Sequence, residues 1–388
     1  MILSKRSVVL ILLAIFFTSA SAMLVYTYIP RYLLTLGLGK PLMQLIVSIF
    51  PLTSFIFPPL FGFYSDKLQN RHAFIIFGVI GIVIAFLLLS LTKVLILIVI
   101  LLFLFGLFMA LSNTSFALYA ELVEDDKKLI SYYNATIVGG WFMGAQFGGI
   151  YIDFNGIENI FVFLLFISLP AILFVVFIRE NRSLILERYK IKEEKNKNML
   201  NTTQPVKDEQ ISKSIYYGLF FRNFSIKPIM PILAIIMTLY LSSDTEIGFL
   251  IGINFFLQFF QMLAAGKIIT KKNLKTFMIC GYFLSTVTIF GFIISTNFWM
   301  FLLFQFLFSF SYSMHWAATI VYITQNTTPK NKGQILGFAN ASIFSGSFIG
   351  SLFFSLLLVL NPNYYLAMSF MIVFPLISVV IIFLKLKI

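Results

Sequence analysis

Apolar runs of about twenty residues follow one another along almost the whole sequence, and no other feature limits the possible folds as severely. A run of that length crosses roughly 30 Å of hydrocarbon as a helix. Every backbone N–H and C=O in lipid must find its partner inside the protein, so long apolar runs without strand alternation read as helices. They can be placed at about 7–30, 42–64, 73–92, 94–118, 131–152 and 158–178, and, after a polar gap, at about 217–241, 246–266, 276–295, 298–324, 334–360 and 364–384. Six spans lie on each side of the gap. The expected fold is an all-α membrane protein with twelve transmembrane helices, in keeping with a chain 60% hydrophobic and only 11% charged,.

The two sets of six echo each other. Residues 134–144 read NATIVGGWFMG and residues 340–350 read NASIFSGSFIG, so Asn134, Ala135, Ile137, Gly140 and Gly144 recur in register as Asn340, Ala341, Ile343, Gly346 and Gly350. Gly62 in GFYSDKLQNRH and Gly266 in GKIITKKNLKT repeat at nearly the same offset. The duplication predicts two pseudo-symmetric six-helix bundles, residues 1–178 and 214–388, joined by a polar linker at 179–213. The linker carries nine Lys or Arg and six Asp or Glu and has little to bury,. Its basic residues can instead lie on anionic headgroups. Related halves in so apolar a chain point to a transporter, since alternating access is commonly built by rocking one repeat against the other.

A net charge of +13 raises the question of nucleic acid, and its distribution answers against it. Basic residues gather on one side: Lys5 and Arg6, Lys67 and Arg71, Lys127 and Lys128, the linker, Lys267 to Lys275, Lys330 and Lys332, and Lys385 and Lys387. The other side has Arg31, Lys40 and Lys93, with the acids Asp153, Glu158, Asp244 and Glu246. By the positive-inside rule both termini and the linker are cytoplasmic, in a multi-pass protein of the cell membrane. The N-terminal stretch has the basic head and apolar middle of a signal peptide; removing it would break the six-plus-six repeat, so it reads as the first span. The single cysteine, Cys280, excludes an intramolecular disulfide and a cysteine metal cluster,.

The turn after the second span, Gly62 to His72, resembles the signature loop of the major facilitator superfamily: Gly62, Asp66 four residues on, Lys67 next, then Arg71. The resemblance implies that Asp66 contacts the start of the eleventh span near Gly333 and Gln334 and latches one access state. Glu121 is expected to join Arg71 in the loop's charge network. In the repeat, Thr270 stands where Asp66 would be, so the second latch is degraded. A further stretch in the fifth span, Gly140 and Gly144 followed by Ala145, Gln146, Phe147, Gly148 and Gly149, is similar to the antiporter motif of drug-exporting members, with Ala145 in place of proline. Its glycines, like Gly346 and Gly350 in the eleventh span, let helices approach closely. Proton-coupled exporters of this superfamily carry an arginine four residues before a glycine in the fourth span; Leu102 stands there, ahead of Gly106.

Ionisable groups inside membrane helices are costly and therefore functional candidates. His315 lies on the order of 15 Å from its helix end, and an imidazole can exchange a proton near neutrality; a neutral, hydrogen-bonded packing role is the alternative. Aligning Tyr119 with Tyr322 sets His315 and Trp316 opposite Ser112 and Asn113, which suggests a shared cavity. Lys227, beside Pro228 and Pro231, either reaches the midplane or snorkels to headgroups, depending on where its helix begins; the snorkelling reading is preferred. Asn254, Gln258 and Gln261 form one stripe on the eighth span, suited to a polar solute or to joining helices. Gln146, Asn134, Asn340 and Gln305 are lesser candidates, with Tyr26, Tyr28 and Trp141 as aromatic walls.

The resemblance implies a secondary transporter of a small organic solute, acting by alternating access around a site lined by spans one, four, seven and ten. Efflux, coupled to protons, is the first expectation; uptake of a sugar or other metabolite is the second. A polytopic enzyme is disfavoured because no HExxH, Cys/His cluster or phosphate-cradling loop is present, and a solute sensor would need an output domain. The partners expected are the solute, the bilayer and protons, without a cofactor, metal or nucleic acid, in a monomer.

Overall fold

The computed structural model describes residues 2–68, 70–123, 127–178, 211–327 and 332–386. All but the last three residues of the expected linker lie outside them. Among the described residues every regular element is helical. The first half comprises α1 (Ile2–Thr35), α2 in two pieces (Lys40–Val47 and Ile49–Leu68), α3 (Arg71–Leu91), α4 in two pieces (Leu95–Ser112 and Ser115–Leu122), α5 (Lys127–Asn155) and α6 (Ile160–Val176). The second half comprises α7 (Ser214–Met237), α8 (Asp244–Ile268), α9 (Leu274–Ile294), α10 (Phe298–Gln325), α11 (Lys332–Leu360) and α12 in two pieces (Tyr364–Met371 and Val373–Lys385). Among the described residues, nine of these spans are long and apolar enough to cross a membrane.

Local chemistry marks several boundaries. Asn70, Asn297 and Asn363 each accept a hydrogen bond from a backbone N–H one turn into α3, α10 and α12, the usual device for an orphaned helix start. Gly156, at φ +77°, turns the chain out of α5, a conformation that costs glycine little.

Each half packs by the same scheme. α1 lies against α5 and α6, α3 against α4 and α6, and α2 against α4; α7, α9 and α8 repeat this with α11, α12 and α10. The repeat in the sequence is the cause. Gly140 and Gly144 face the backbone carbonyls of Phe16 and Ala20, and Gly346 and Gly350 face those of Phe220 and Phe224, so closely that a Cβ would overlap the facing backbone. Across the halves α5 meets α8, α2 meets α11, and α1 meets α7.

The buried core forks. At the end away from the termini one cluster takes residues from both halves, among them Tyr28, Phe86, Ile229 and Met371. Toward the termini two separate clusters replace it, one around Ile15, Val79 and Tyr119, the other around Leu219, Met278 and Ala318. Gly62 of α2 and Gly337 of α11, both toward the termini, face empty space. The halves are therefore closed together at one end and parted at the other. Phe77, Leu97, Phe166, Leu173 and Phe290 are exposed on the outside of the bundle, where lipid tails would meet them.

Candidate functional site

Two adjoining cavities lie between the halves. The larger, about 270 Å³, is lined by α1, α2, α4, α5, α7, α8 and α11, with Tyr26, Asn113, Trp141, Lys227 and Ser347 in its wall. The smaller, about 80 Å³, is enclosed by α1, α5, α7, α8 and α10 and includes Arg222, Asn254, Gln258, Gln305 and Tyr312. Tyr26, Trp141, Lys227 and Phe255 belong to both. Spans one, four, seven and ten all contribute, as expected, but α2, α5, α8 and α11 line the cavities as well.

Prolines shape this region. Pro231 has no N–H to offer the carbonyl of Lys227, four residues back, which a regular helix would pair. Tyr26 Oη of the opposite half donates to that carbonyl at 3.0 Å, and the Lys227 ammonium stands 5.9 Å from the Tyr26 ring centre. Gln44 likewise donates to the Pro228 carbonyl at 3.4 Å. The preferred snorkelling reading of Lys227 is thus corrected: α7 begins at Ser214, which sets Lys227 about 20 Å along the helix, at the cavity and too deep for headgroups.

Arg222 was not singled out from the sequence, because a basic residue near the expected start of the seventh span normally snorkels. Its position inside the run Phe220, Phe221, Phe224 was the available signal. The residue is 1% exposed. Its Nε donates to Ser285 Oγ at 3.0 Å, and its guanidinium stands 5.8 Å and 5.6 Å from the rings of Phe308 and Tyr312. One terminal nitrogen, Nη2, has no hydrogen-bond partner among the described residues.

The polar stripe on α8 divides. Asn254 Nδ2 donates to the Gln305 carbonyl and side chain at 3.0 and 3.1 Å, and Gln258 Nε2 donates to Asn254 Oδ1 at 2.7 Å. These amides join α8 to α10 and line the small cavity at once. Gln261 accepts from Ser313 at 3.3 Å and lines neither cavity. Neither do Gln146, Tyr28 or Trp316; Tyr28 is buried with its hydroxyl on the Ala145 carbonyl. His315 is 1% exposed, with Nδ1 at 2.7 Å from the Ser311 carbonyl and its ring 5.1 Å from Tyr282. It packs against α9 within the second half and lines neither cavity, though its ring lies 5.4 Å from that of Tyr312 in the wall of the smaller one; of the positions matched across the repeat only Asn113 faces the larger one.

The loop after α2 makes a network different from the expected latch. Arg71 donates to Asp66 at 2.6 Å and also pairs with Glu121, as foreseen for Glu121. Asp66 is 60% exposed, and its hydrogen bond goes to Arg71 and not to α11. Gln334, at the start of α11, is exposed, and the halves are parted at this end. Lys67 is exposed.

Contacts at the other end cross between halves. Arg31 of α1 pairs with Asp244 of α8. Asp153 of α5 accepts from the backbone N–H groups of Asp244 and Thr245 at 2.7 and 2.8 Å and from the Thr245 hydroxyl at 2.5 Å. Lys40 donates to the Pro362 carbonyl at 2.8 Å, and Ser355 to that of Pro41 at 2.8 Å.

Residues 11–213 and 215–388 match the family model described as Major Facilitator Superfamily. Similar solved structures include a POT family transporter in complex with 5-aminolevulinic acid (TM-score 0.73, 12% identity, covering 97% of this chain and 95% of that one). A POT family transporter in complex with a thioalcohol-conjugated peptide gives 0.74 and 13%, with the same coverage. A mutant of the nucleoside transporter NupG gives 0.73 and 10%, covering 99% of this chain and 100% of that one. At such identities the likeness shows the fold alone. No curated protein matches the sequence.

Proposed function

We propose, for a chain that belongs to the Major Facilitator Superfamily, that its two halves rock about the paired cavities to move a small organic solute out of the cell. The protein is a multi-pass secondary transporter of small solutes and not an enzyme. The forked core supports the rocking: the halves share one cluster at the end away from the termini and hold separate clusters toward them. A cavity between them would load from the termini side, the cytoplasm by the distribution of basic residues, and release when Arg31–Asp244 and Asp153–Thr245 part. Export, and a place in the cell membrane, rest on the fifth-span resemblance and the charge asymmetry. No proton is routed through His315, which lines neither cavity. The sizes of the cavities suit a compact solute, as do the small ligands of the POT family relatives.

The test is net flux. Inside-out membrane vesicles bearing the protein accumulate a labelled solute under a proton gradient if the reading holds, and right-side-out vesicles do not. The reverse pattern supports uptake and removes export. Tags on either terminus should be reachable only after the membrane is opened.

A further inference from the structure

The junction of the two cavities carries a positive charge that the protein leaves unbalanced. Arg222 is buried with Nη2 unpartnered. Lys227, five residues on and so about 7.5 Å along the same helix, lines the small cavity with it and has no ion pair among the described residues. Among the described residues no Asp or Glu lines either cavity. Uncompensated charge in a low-dielectric interior is costly, and the costs of two neighbouring cations add to one another. The amides of Asn254, Gln258 and Gln305 are neutral and supply no counter-charge; Asn254 donates to Gln305 and Gln258 to Asn254, which ties α8 to α10. Arg222 and Lys227 are the charged donors of the pocket.

We infer that Arg222 and Lys227 form the head of the solute site and that the solute is a small organic anion. Its carboxylate or phosphate takes the free Arg222 Nη2 and the Lys227 ammonium, as charge-assisted donors. Its body lies in the larger cavity against Tyr26, Trp141 and Phe255. Calling the ligand a transported solute rests on the transport reading above; the anion site itself is testable without it.

Thermal unfolding of the purified full chain is followed with benzoate, inorganic phosphate and dodecyl phosphate, against benzamide and benzylammonium. Specific binding stabilises the folded state in a concentration-dependent way. Anions raise the midpoint and their neutral and cationic counterparts do not. Arg222→Gln raises the midpoint of the ligand-free protein, by removing an unpaired buried charge, and weakens anion binding roughly ten- to a hundredfold. Lys227→Met, at a less buried position, weakens anion binding in the same direction and serves if Arg222→Gln does not fold. Binding of benzoate or phosphate supports a free anion; binding of dodecyl phosphate alone supports the same chemistry on a lipid headgroup. Equal stabilisation by benzamide and benzoate, or a destabilised Arg222→Gln protein that binds anions as before, overturns the inference in favour of a packing role. In liposomes, anion binding without flux would remove the transport reading and leave the site standing. Flux of a neutral solute undiminished by Arg222→Gln would do the opposite.

Discussion

Gly350 lies against the backbone carbonyl of Phe224, the carbonyl that Pro228 leaves without its helical N–H partner. A helix weakened by proline is thus braced by a neighbour whose missing side chain lets it approach. Gly144 against Ala20 is the counterpart in the first half.

The first prediction is a contrast among glycines. Gly144→Val and Gly350→Val place methyl groups into facing backbone and should destabilise by about 1–3 kcal/mol or more, read as a lower thermal midpoint. Gly337→Val meets open space in this state and should leave the midpoint unchanged while slowing turnover, because that end closes when the other opens. Equal midpoints for all three would contradict the packing account.

The second concerns the Asp66–Arg71–Glu121 network. Arg71 is largely buried between two acids, so Arg71→Met leaves Glu121 without that partner and should cost roughly 1–3 kcal/mol. Asp66→Asn removes an exposed partner and should barely alter stability or solute binding, yet reduce turnover, since the carboxylate is free to engage α11 only when the ends meet. Unchanged turnover in Asp66→Asn would remove the latch role in the closed state.

His315 supplies the third. Held by Ser311 and Tyr282 within the second half, it should tolerate His315→Gln with solute affinity changed by less than about twofold and with any response to a pH gradient intact. A lost pH response would show that the imidazole carries the coupling proton although it lines neither cavity.

What the sequence made legible was set by periodicity and charge. The twelve spans and the twofold repeat followed from runs of apolar residues and from the glycine echo, because lipid allows so few alternatives. Asn113, Asn254 and Gln258 stood out as cavity candidates since polarity in an apolar run is conspicuous. Arg222 and the burial of Lys227 were lost to an error of a few residues in where α7 begins, a boundary that the run of Tyr216, Tyr217 and Phe220 does not mark. The cavity role of α2 and α11 was invisible because those faces are built from Pro51, Thr53 and Ser347, residues that any packed helix can carry. The expected contact of Asp66 with α11 belongs to one access state, and a structure parted at that end holds the other; a sequence encodes both.

The most direct test of alternating access measures two distances at once. In a Cys280→Ser background, spin labels at Tyr64 and Phe338 report the end near the termini, and labels at Phe154 and Leu239 report the other; all four positions are exposed. Weakening the cross-half seal with Arg31→Gln and Asp153→Asn should lengthen the Phe154–Leu239 distance and shorten the Tyr64–Phe338 distance in the same population of molecules. Distances that both stay fixed, or that both lengthen together, would contradict a rocking mechanism.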